Sequence, residues 1–483
     1  MAKKGNLFYL IKSLNKAEKR YFNIFCFNNK VSKNYLKLFE TISRQNEYDE
    51  VAIRKKFKGQ TFLKQLHVAK NYLNQLILKS LRNYHSKISK QAEIKDLLRN
   101  IEILFSKELF DQCQYEIQKA ESMAENFEDY ASLITIQKWK RRLSFTIGKN
   151  NPEQIQEILN REKEAIEALD RINRYWVLTN NIFDYSNDSE NKLSRHPLMR
   201  TQRKKESMTT KVLHHHIMYS YLVINGKAEE GYDHLSELVE YLEQFPERLS
   251  NDPSPYVTAL NNKIGYLIRA KKFDNVYPLL EKVRGIPTKY KLQSESKFSV
   301  KLKLRTYNIE LEMYRDTRNF SKGVQLIKEI EAFLQTHKKS IPQEYYLLLW
   351  YQFANIYFMK KEYHASMKYV NEITGTRFGD SVNDLERYAR LLNLMIHLNL
   401  DNIIVLKYAV EGCRRFLRKV KKVHEFEKVL LRFFSKICNA LKREYKSLFS
   451  QLHQDLFEKQ EKLVDENILD FLDFKTWIED HLK

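Results

Sequence analysis

The sequence predicts an all-α protein built as an α-solenoid, a consecutive array of antiparallel helix pairs. Glycine and proline together account for 19 of 483 residues. This is about 4%, against roughly 12% in average proteins, so the turns of sheets and long loops are scarce. The 29 Tyr and 28 Phe supply the apolar surface of a packed core. A turn motif also recurs along the chain, with a period typical of helical arrays.

Each copy of the motif has apolar residues that end one helix, a short polar step, and an aromatic or apolar residue that opens the next helix. The opening residues are Phe110, Ala228, Phe273, Phe320, Tyr363 and Ile403, with Tyr445 as a weaker seventh. From Ala228 onward the intervals are 45, 47, 43, 40 and 42 residues. Such a period indicates helix pairs that bury their apolar faces against neighbouring pairs.

The clearest copy of the motif runs from Trp350 to Ile373. Its characteristic positions, on the first and then the second helix, are Trp350, Phe353, Ala354, Tyr357, Tyr363, Ser366, Val370 and Ile373. This order of large and small side chains resembles a tetratricopeptide repeat. The resemblance implies a close helix contact at Ala354 and Ser366, and an interaction surface lined by first helices. Because those repeats run 34 residues, the longer intervals here predict helices about one turn longer.

Charge and polarity divide the chain into four segments. Residues 1–90 form a basic helical module, with 20 Lys and Arg against 5 Asp and Glu, or +15 of the total charge of +22. Residues 91–185 are a first array of helix pairs, and the polar residues 186–205 interrupt the helical period as a loop or linker. Residues 206–483 are a second array, and its last 37 residues carry a charge of −5 and form an acidic C-terminal cap.

The basic module is predicted to be a bundle of helices at about residues 6–27, 32–46, 50–57 and 61–87. The last two helices loosely suggest a helix-turn-helix, in which the second helix would lie in the DNA major groove. Candidate contacts to phosphates and base edges are Arg54, Lys55, Lys56, Lys58, Lys64, His67, Asn71 and Gln75. The alternative interpretation is the solvated polar face of an amphipathic helix.

A second candidate surface is the groove that the tetratricopeptide resemblance implies. In the copies around Phe320 and Tyr363, the resemblance places on it Arg305, Asn308, Glu312, Arg315, Tyr351 and Asn355. This mixed polar and aromatic lining suits a peptide or an extended protein segment, and an ordinary solvated helix face is the alternative. The lysine that such repeats use to clamp a terminal carboxylate is replaced here by Tyr351.

No pattern in the sequence predicts an active site, a metal site or a cofactor. His214, His215 and His216 are consecutive, so on a helix they point about 100° apart and cannot converge on one ion. The glycines of the segment 374–380 do not form a phosphate-binding loop, because that segment lacks the required lysine and follows no strand. The carboxylates are spread along helix faces beside lysines. The sequence therefore favours a protein that is not an enzyme.

The remaining observations concern location and partners. The four cysteines lack the paired spacing of metal or redox sites, which favours reduced thiols in the cytoplasm. No apolar run approaches the roughly 20 residues of a membrane span. We therefore expect a cytoplasmic interaction or scaffold protein that binds a protein or peptide in its groove. The alternative is a nucleic-acid-binding regulator that uses residues 1–90, with the array as sensor or oligomerisation domain. The oligomeric state stays open.

Overall fold

The computed structural model describes residues 6–86, 89–148, 151–185, 192–200, 206–292, 296–338, 341–376, 384–418, 423–458 and 472–483. Helices contain 84% of these residues, and none of them lies in a β-strand, which confirms the all-α class. The chain divides into two compact units, residues 1–252 and 253–483. The finer division at residues 90, 185 and 205 stays a prediction.

The first unit consists of helices packed against their neighbours in chain order. They are α1 Asn6–Ser13, α2 Lys16–Asn28, α3 Lys33–Arg44, α4 Glu50–Lys56, α5 Leu66–Tyr84, α6 Lys90–Ser106, α7 Phe110–Asn126, α8 Tyr130–Thr146, α9 Pro152–Asn180, α10 Lys192–Arg195, α11 Pro197–Arg200, α12 Met208–Ile224, α13 Ala228–Glu243 and α14 Pro246–Asn251. The short helices α10 and α11 lie in the predicted loop 186–205. The rest of that loop, 186–191 and 201–205, lies outside the described residues.

The second unit continues the same order of neighbouring pairs. Its helices are α15 Ser254–Arg269, α16 Val276–Lys289, α17 Lys297–Asp316, α18 Phe320–Thr336, α19 Gln343–Met359, α20 Tyr363–Gly375, α21 Asp384–Asn399, α22 Ile403–Leu417, α23 Glu425–Ile437, α24 Tyr445–His453 and α25 Phe474–Leu482. Much of the predicted acidic cap, residues 459–471, lies outside the described part of the chain.

The first helix predicted in the basic module, residues 6–27, is two helices in the structure. The break falls at Asn15, whose side chain accepts the Glu18 N–H at 2.8 Å. The Glu18 carboxylate in turn accepts the Asn15 N–H at 2.7 Å. This capping box satisfies donors that open a helix, so the chain starts α2 afresh although the apolar period continues across it. Helices α1 to α5 share one apolar core, which runs from Leu7 to Ile77.

The predicted turn motif marks real helix starts. α7, α13, α18, α20, α22 and α24 begin at the predicted opening residues, and Phe273 opens a short 3₁₀ turn before α16. In six copies the residue two positions before the opening residue has a positive φ; these residues are Glu108, Gly226, Lys271, Arg318, Lys361 and Asp401. The next N–H then donates to a carbonyl five residues back, at 2.7–3.0 Å. The copies therefore share one left-handed helix-ending turn.

The shared turn fixes where the two helices of a pair approach most closely. In each of three pairs, the third residue after the opening residue lies on the second helix. It contacts the first helix at the residue nine positions before the opening residue. In the α19–α20 pair the Ser366 hydroxyl donates to the Ala354 carbonyl at 2.7 Å, and in the α6–α7 pair Cys113 Sγ lies 3.7 Å from the Ile101 carbonyl. A Cβ on Gly231 would lie 3.3 Å from the Tyr219 carbonyl. Small side chains at this position let the backbones approach.

Enlarging the small residue at this contact tests the register of the pair. Ala354 is fully buried, and its carbonyl accepts the Ser366 hydroxyl. We expect Ala354→Leu to overpack the contact and to cost about 1–3 kcal/mol of stability, measured by chemical denaturation. The matched control is Ala332→Leu on α18, because Ala332 is exposed. Equal stability of the two variants would contradict the close contact at Ala354.

Candidate functional site

The predicted nucleic-acid contacts lie on α4, on α5 and on the segment that links them. All eight side chains are exposed: Arg54, Lys55, Lys56, Lys58, Lys64, His67, Asn71 and Gln75. Gly59 has a φ of 89°, which a glycine adopts without strain and which turns the chain after α4. The three residues on α5 follow one another at intervals of four, so they share one face of the helix.

The structure corrects the placement of Lys64 and the start of its helix. Residues Thr61–Gln65 form a 3₁₀ turn, and α5 begins only at Leu66, so Lys64 is not on the helix that carries His67. Phe62 and Leu63 pack against the apolar core that α1 to α5 share, which holds the turn in place before the α-helix starts. Asp49 caps α4, because its carboxylate accepts the Ala52 N–H at 2.9 Å.

One acidic residue lies among these cations and changes the charge of the surface. Glu50 accepts hydrogen bonds from Lys70 at 2.8 Å and from Arg54 at 2.9 Å. These hydrogen bonds, that of Lys70 first, lower the pKa of Glu50 to about 2. Glu50 is therefore ionised near neutral pH and offsets the charge of Arg54. Within the described part of the chain, no ion pair engages Lys55, Lys56, Lys58 or Lys64.

The predicted peptide groove is only partly exposed. Arg305 is exposed and Asn308, Glu312 and Arg315 are half-buried on α17. Tyr351 and Asn355 are 1% and 4% exposed, so their predicted place on an open surface is wrong. Helix α19 packs against α17, α18, α20 and α21, and these neighbours cover both residues. The Asn355 side chain donates to the Tyr351 carbonyl at 3.1 Å, within the core.

An open aromatic groove lies instead on the side of α19 that faces α18 and α20. It has a volume of about 430 Å³ and is lined by residues that include Leu334, Lys338, Tyr346, Trp350 and Glu372. The rings of Tyr346 and Trp350 are 5.4 Å apart at their centroids. The Tyr346 hydroxyl oxygen is buried and has no hydrogen-bond partner among the described residues. The groove thus combines apolar rings with a buried polar atom that has no partner within the described part of the chain.

The helix pair α12–α13 brings a second group of polar side chains together. His215 on α12 lies beside His234 and Glu237 on α13, and their potential ligand atoms are all within 4.8 Å of one another. Nδ1 of His215 and Nδ1 of His234 are both buried without a hydrogen-bond partner among the described residues. Burial, and next the charge of His214, lowers the pKa of His215 to about 4, so its ring is neutral near pH 7.

The run of adjacent histidines on α12 does not reveal this cluster, because two of its three residues, His234 and Glu237, lie on α13. His214 and His216 do not belong to the cluster, in agreement with the expected divergence of consecutive helical residues. The sequence feature that could have revealed the cluster is the turn before Ala228. This turn sets Tyr219, nine residues before Ala228, against Gly231, three residues after it. The same pairing of the two helices brings His215, thirteen residues before Ala228, near His234 and Glu237, which lie six and nine residues after it.

All four cysteines are free thiols, and Cys26, Cys113 and Cys413 are buried. Burial raises the pKa of Cys26 to about 11 and that of Cys413 to about 12. These thiols are therefore protonated near neutral pH and act as small apolar core residues. Among the described helices, none combines the length and the apolar composition that a membrane crossing requires.

No protein-family model, no curated protein and no solved structure matches this chain.

Proposed function

We propose that the chain is a non-enzymatic interaction or scaffold protein, with a tetratricopeptide-like α-solenoid that holds a segment of a partner protein. The solenoid arrangement is supported by the shared turn and by the contacts of alternate helices, α17 with α19 and α19 with α21. In such arrays first helices lie side by side and present a continuous surface. The basic bundle of residues 1–90 is the accessory module in this proposal, and the reduced, buried thiols favour the cytoplasm.

The observation that carries the proposal is the groove at Tyr346 and Trp350. Protein recognition concentrates on aromatic residues in pockets that exclude water, and tryptophan and tyrosine are enriched among them. The unpaired Tyr346 hydroxyl becomes a donor for a backbone carbonyl when its ring turns towards the groove, and burial raises its pKa, so it keeps its proton. Exposed Lys338 and Glu372 add a polar rim of both charges. We infer a peptide occupant with one apolar anchor side chain flanked by polar residues.

The predicted surface on α17 extends this proposal beyond the groove. Arg305 is exposed, and Arg315 lies 3.4 Å from the Gln352 side-chain oxygen and 2.9 Å from Asp316. Two of the hydrogen-bond donors of Arg315 are therefore already engaged by residues of the same chain. The exposed Arg305 remains the stronger candidate for a partner's carboxylate, and Asn308 and Glu312 remain predicted contacts beside it.

A peptide selection against the full chain tests the proposal. We expect peptides with an apolar anchor to be enriched, and Trp350→Ala to weaken their binding at least about 30-fold, the equivalent of about 2 kcal/mol for a central aromatic residue. The measurement is fluorescence anisotropy with a labelled selected peptide.

The matched control for this test is Trp176→Ala. Trp176 is a 56% exposed tryptophan on α9, outside the groove, so its replacement should leave the peptide affinity unchanged. Circular dichroism verifies that both variants keep the helical spectrum. Equal affinities of the two tryptophan variants, or no enriched peptide at all, would contradict a binding site at Tyr346 and Trp350.

A second candidate function is nucleic-acid binding through residues 1–90. The observation that favours it is the row of exposed cations, of which Lys55, Lys56, Lys58 and Lys64 have no ion pair among the described residues. Free lysines on one surface attract phosphates and release their counterions. Binding of the full chain to a labelled DNA duplex at low salt is the first test. Absence of binding there would leave the basic module as a protein-docking or solubility feature.

A further inference from the structure

The polar cluster of His215, His234 and Glu237 between α12 and α13 contains buried ring nitrogens that no neighbouring residue in the described chain satisfies. Two ring nitrogens, Nδ1 of His215 and Nδ1 of His234, are buried without a hydrogen-bond partner among the described residues. Nearly all buried polar atoms in proteins have a partner, and each orphaned atom costs free energy. The cluster places both orphaned rings within reach of one carboxylate, that of Glu237.

The carboxylate does not satisfy the rings directly. Glu237 Oε2 lies 3.9 Å from His215 Nδ1, which is too long for a hydrogen bond. The Glu237 side chain is 67% exposed and makes no other ion pair within the described residues. The carboxylate is therefore able to turn towards the rings. The Lys211 ammonium, one turn before His215, lies 4.2 Å from the centroid of the Tyr241 ring.

We propose that His215, His234 and Glu237 bind a divalent transition-metal ion of the zinc class. Two imidazoles and one carboxylate are ligands that zinc accepts, whereas calcium and magnesium prefer oxygen alone. Zinc bonds of about 2.0–2.2 Å place tetrahedral ligand atoms about 3.4 Å apart, so atoms within 4.8 Å need only small side-chain movements. The ion satisfies both ring nitrogens and leaves a fourth position on the solvent side of Glu237.

All three proposed metal ligands lie on one helix pair, α12 and α13. The turn at Gly226 and the close approach of Gly231 to Tyr219 fix α12 against α13, so the three ligands belong to one hairpin. An ion held by residues from both helices ties them together and stabilises the folded chain in proportion to the logarithm of metal concentration. This inference does not depend on the peptide groove or on nucleic-acid binding.

Titration of the full, chelator-treated chain with Zn²⁺ tests the proposal. Isothermal titration calorimetry should show one site per chain, and saturating Zn²⁺ should raise the thermal midpoint of the wild type. Because loss of a residue that only orients a ligand typically weakens metal affinity about 10–100-fold, loss of a ligand should weaken it at least about 100-fold in His234→Ala. Glu237→Gln is the second variant, since its exposed side chain can be changed without disturbing the fold.

The matched control is His216→Ala, which removes a histidine from α12 outside the cluster. We expect its zinc affinity to equal that of the wild type, while His234→Ala and Glu237→Gln both lose affinity and the rise in thermal midpoint. Co²⁺ as a spectroscopic probe should give the intense visible absorption of a tetrahedral site in the wild type and lose it in His234→Ala. The absence of stoichiometric binding, or equal affinity in Glu237→Gln and His216→Ala, would overturn the proposal.

Discussion

Replacing Glu427 by Gln is expected to destabilise the second unit by about 3–5 kcal/mol, the usual effect of breaking a buried ion pair. Glu427 is fully buried on α23, and its partner Arg387 on α21 is 5% exposed. The guanidinium donates to both carboxylate oxygens, at 2.9 and 2.5 Å. Glu427 also accepts the His424 N–H at 2.8 Å and so caps its own helix. The amide would leave the buried Arg387 charge with only the Asp384 carboxylate, which is 3.1 Å away and 68% exposed, as its counter-charge.

Thermal and urea unfolding, followed by circular dichroism, measure this loss. Glu425→Gln on the same helix is the matched control, because the Glu425 ion pair with Lys428 lies at the surface and its loss should hardly move the transition. The double variant Arg387→Met with Glu427→Met should lose less stability than either single replacement, since it leaves no unpaired charge. A Glu427→Gln protein that unfolds like the wild type would contradict a buried ion pair at this place.

The second large effect concerns the salt dependence of DNA binding. Replacing Arg54, Lys55, Lys56 and Lys58 by Gln is expected to flatten the slope of log affinity against log salt. Each phosphate neutralised contributes about −0.9 to that slope on duplex DNA, so four contacts contribute up to about −3.6. Because Glu50 already offsets Arg54, the three lysines should account for most of the change. The measurement is anisotropy of the full chain with a labelled duplex between low and physiological salt.

Two further variants make this result specific. The matched control replaces four exposed lysines of the second unit by Gln and removes as many positive charges as the variant near α4; these lysines are Lys297, Lys301, Lys322 and Lys328. Its slope should stay close to that of the wild type. Asn71→Ala with Gln75→Ala should leave the slope intact and reduce discrimination between sequences, because amide side chains read base edges. Equal slopes in the variant near α4 and in this control would locate the DNA contacts elsewhere or show that binding is diffuse.

The predicted groove shows which positions a repeat pattern can locate correctly and which it cannot. The resemblance located the close contact of Ala354 with Ser366, because that contact lies within one helix pair and is fixed by one turn. It misplaced Tyr351 and Asn355, because helix α19 has neighbouring helices on several sides. The positions of those neighbours depend on helix pairs other than the α19–α20 pair. A helical period shows that a residue lies on a face, and only the packing of α17, α18, α20 and α21 shows whether that face is covered.

The sequence by itself determined the helical class, the starts of the paired helices and the exposure of the cations near α4. These features follow from composition, from local turn chemistry and from charge, which act over a few residues. The tertiary structure alone decided three others: the burial of the Arg387–Glu427 pair, the open groove at Tyr346 and Trp350, and the meeting of His215 with His234 and Glu237. Each joins residues from different helices, whose distance depends on how side chains pack between them and not on their spacing along the chain.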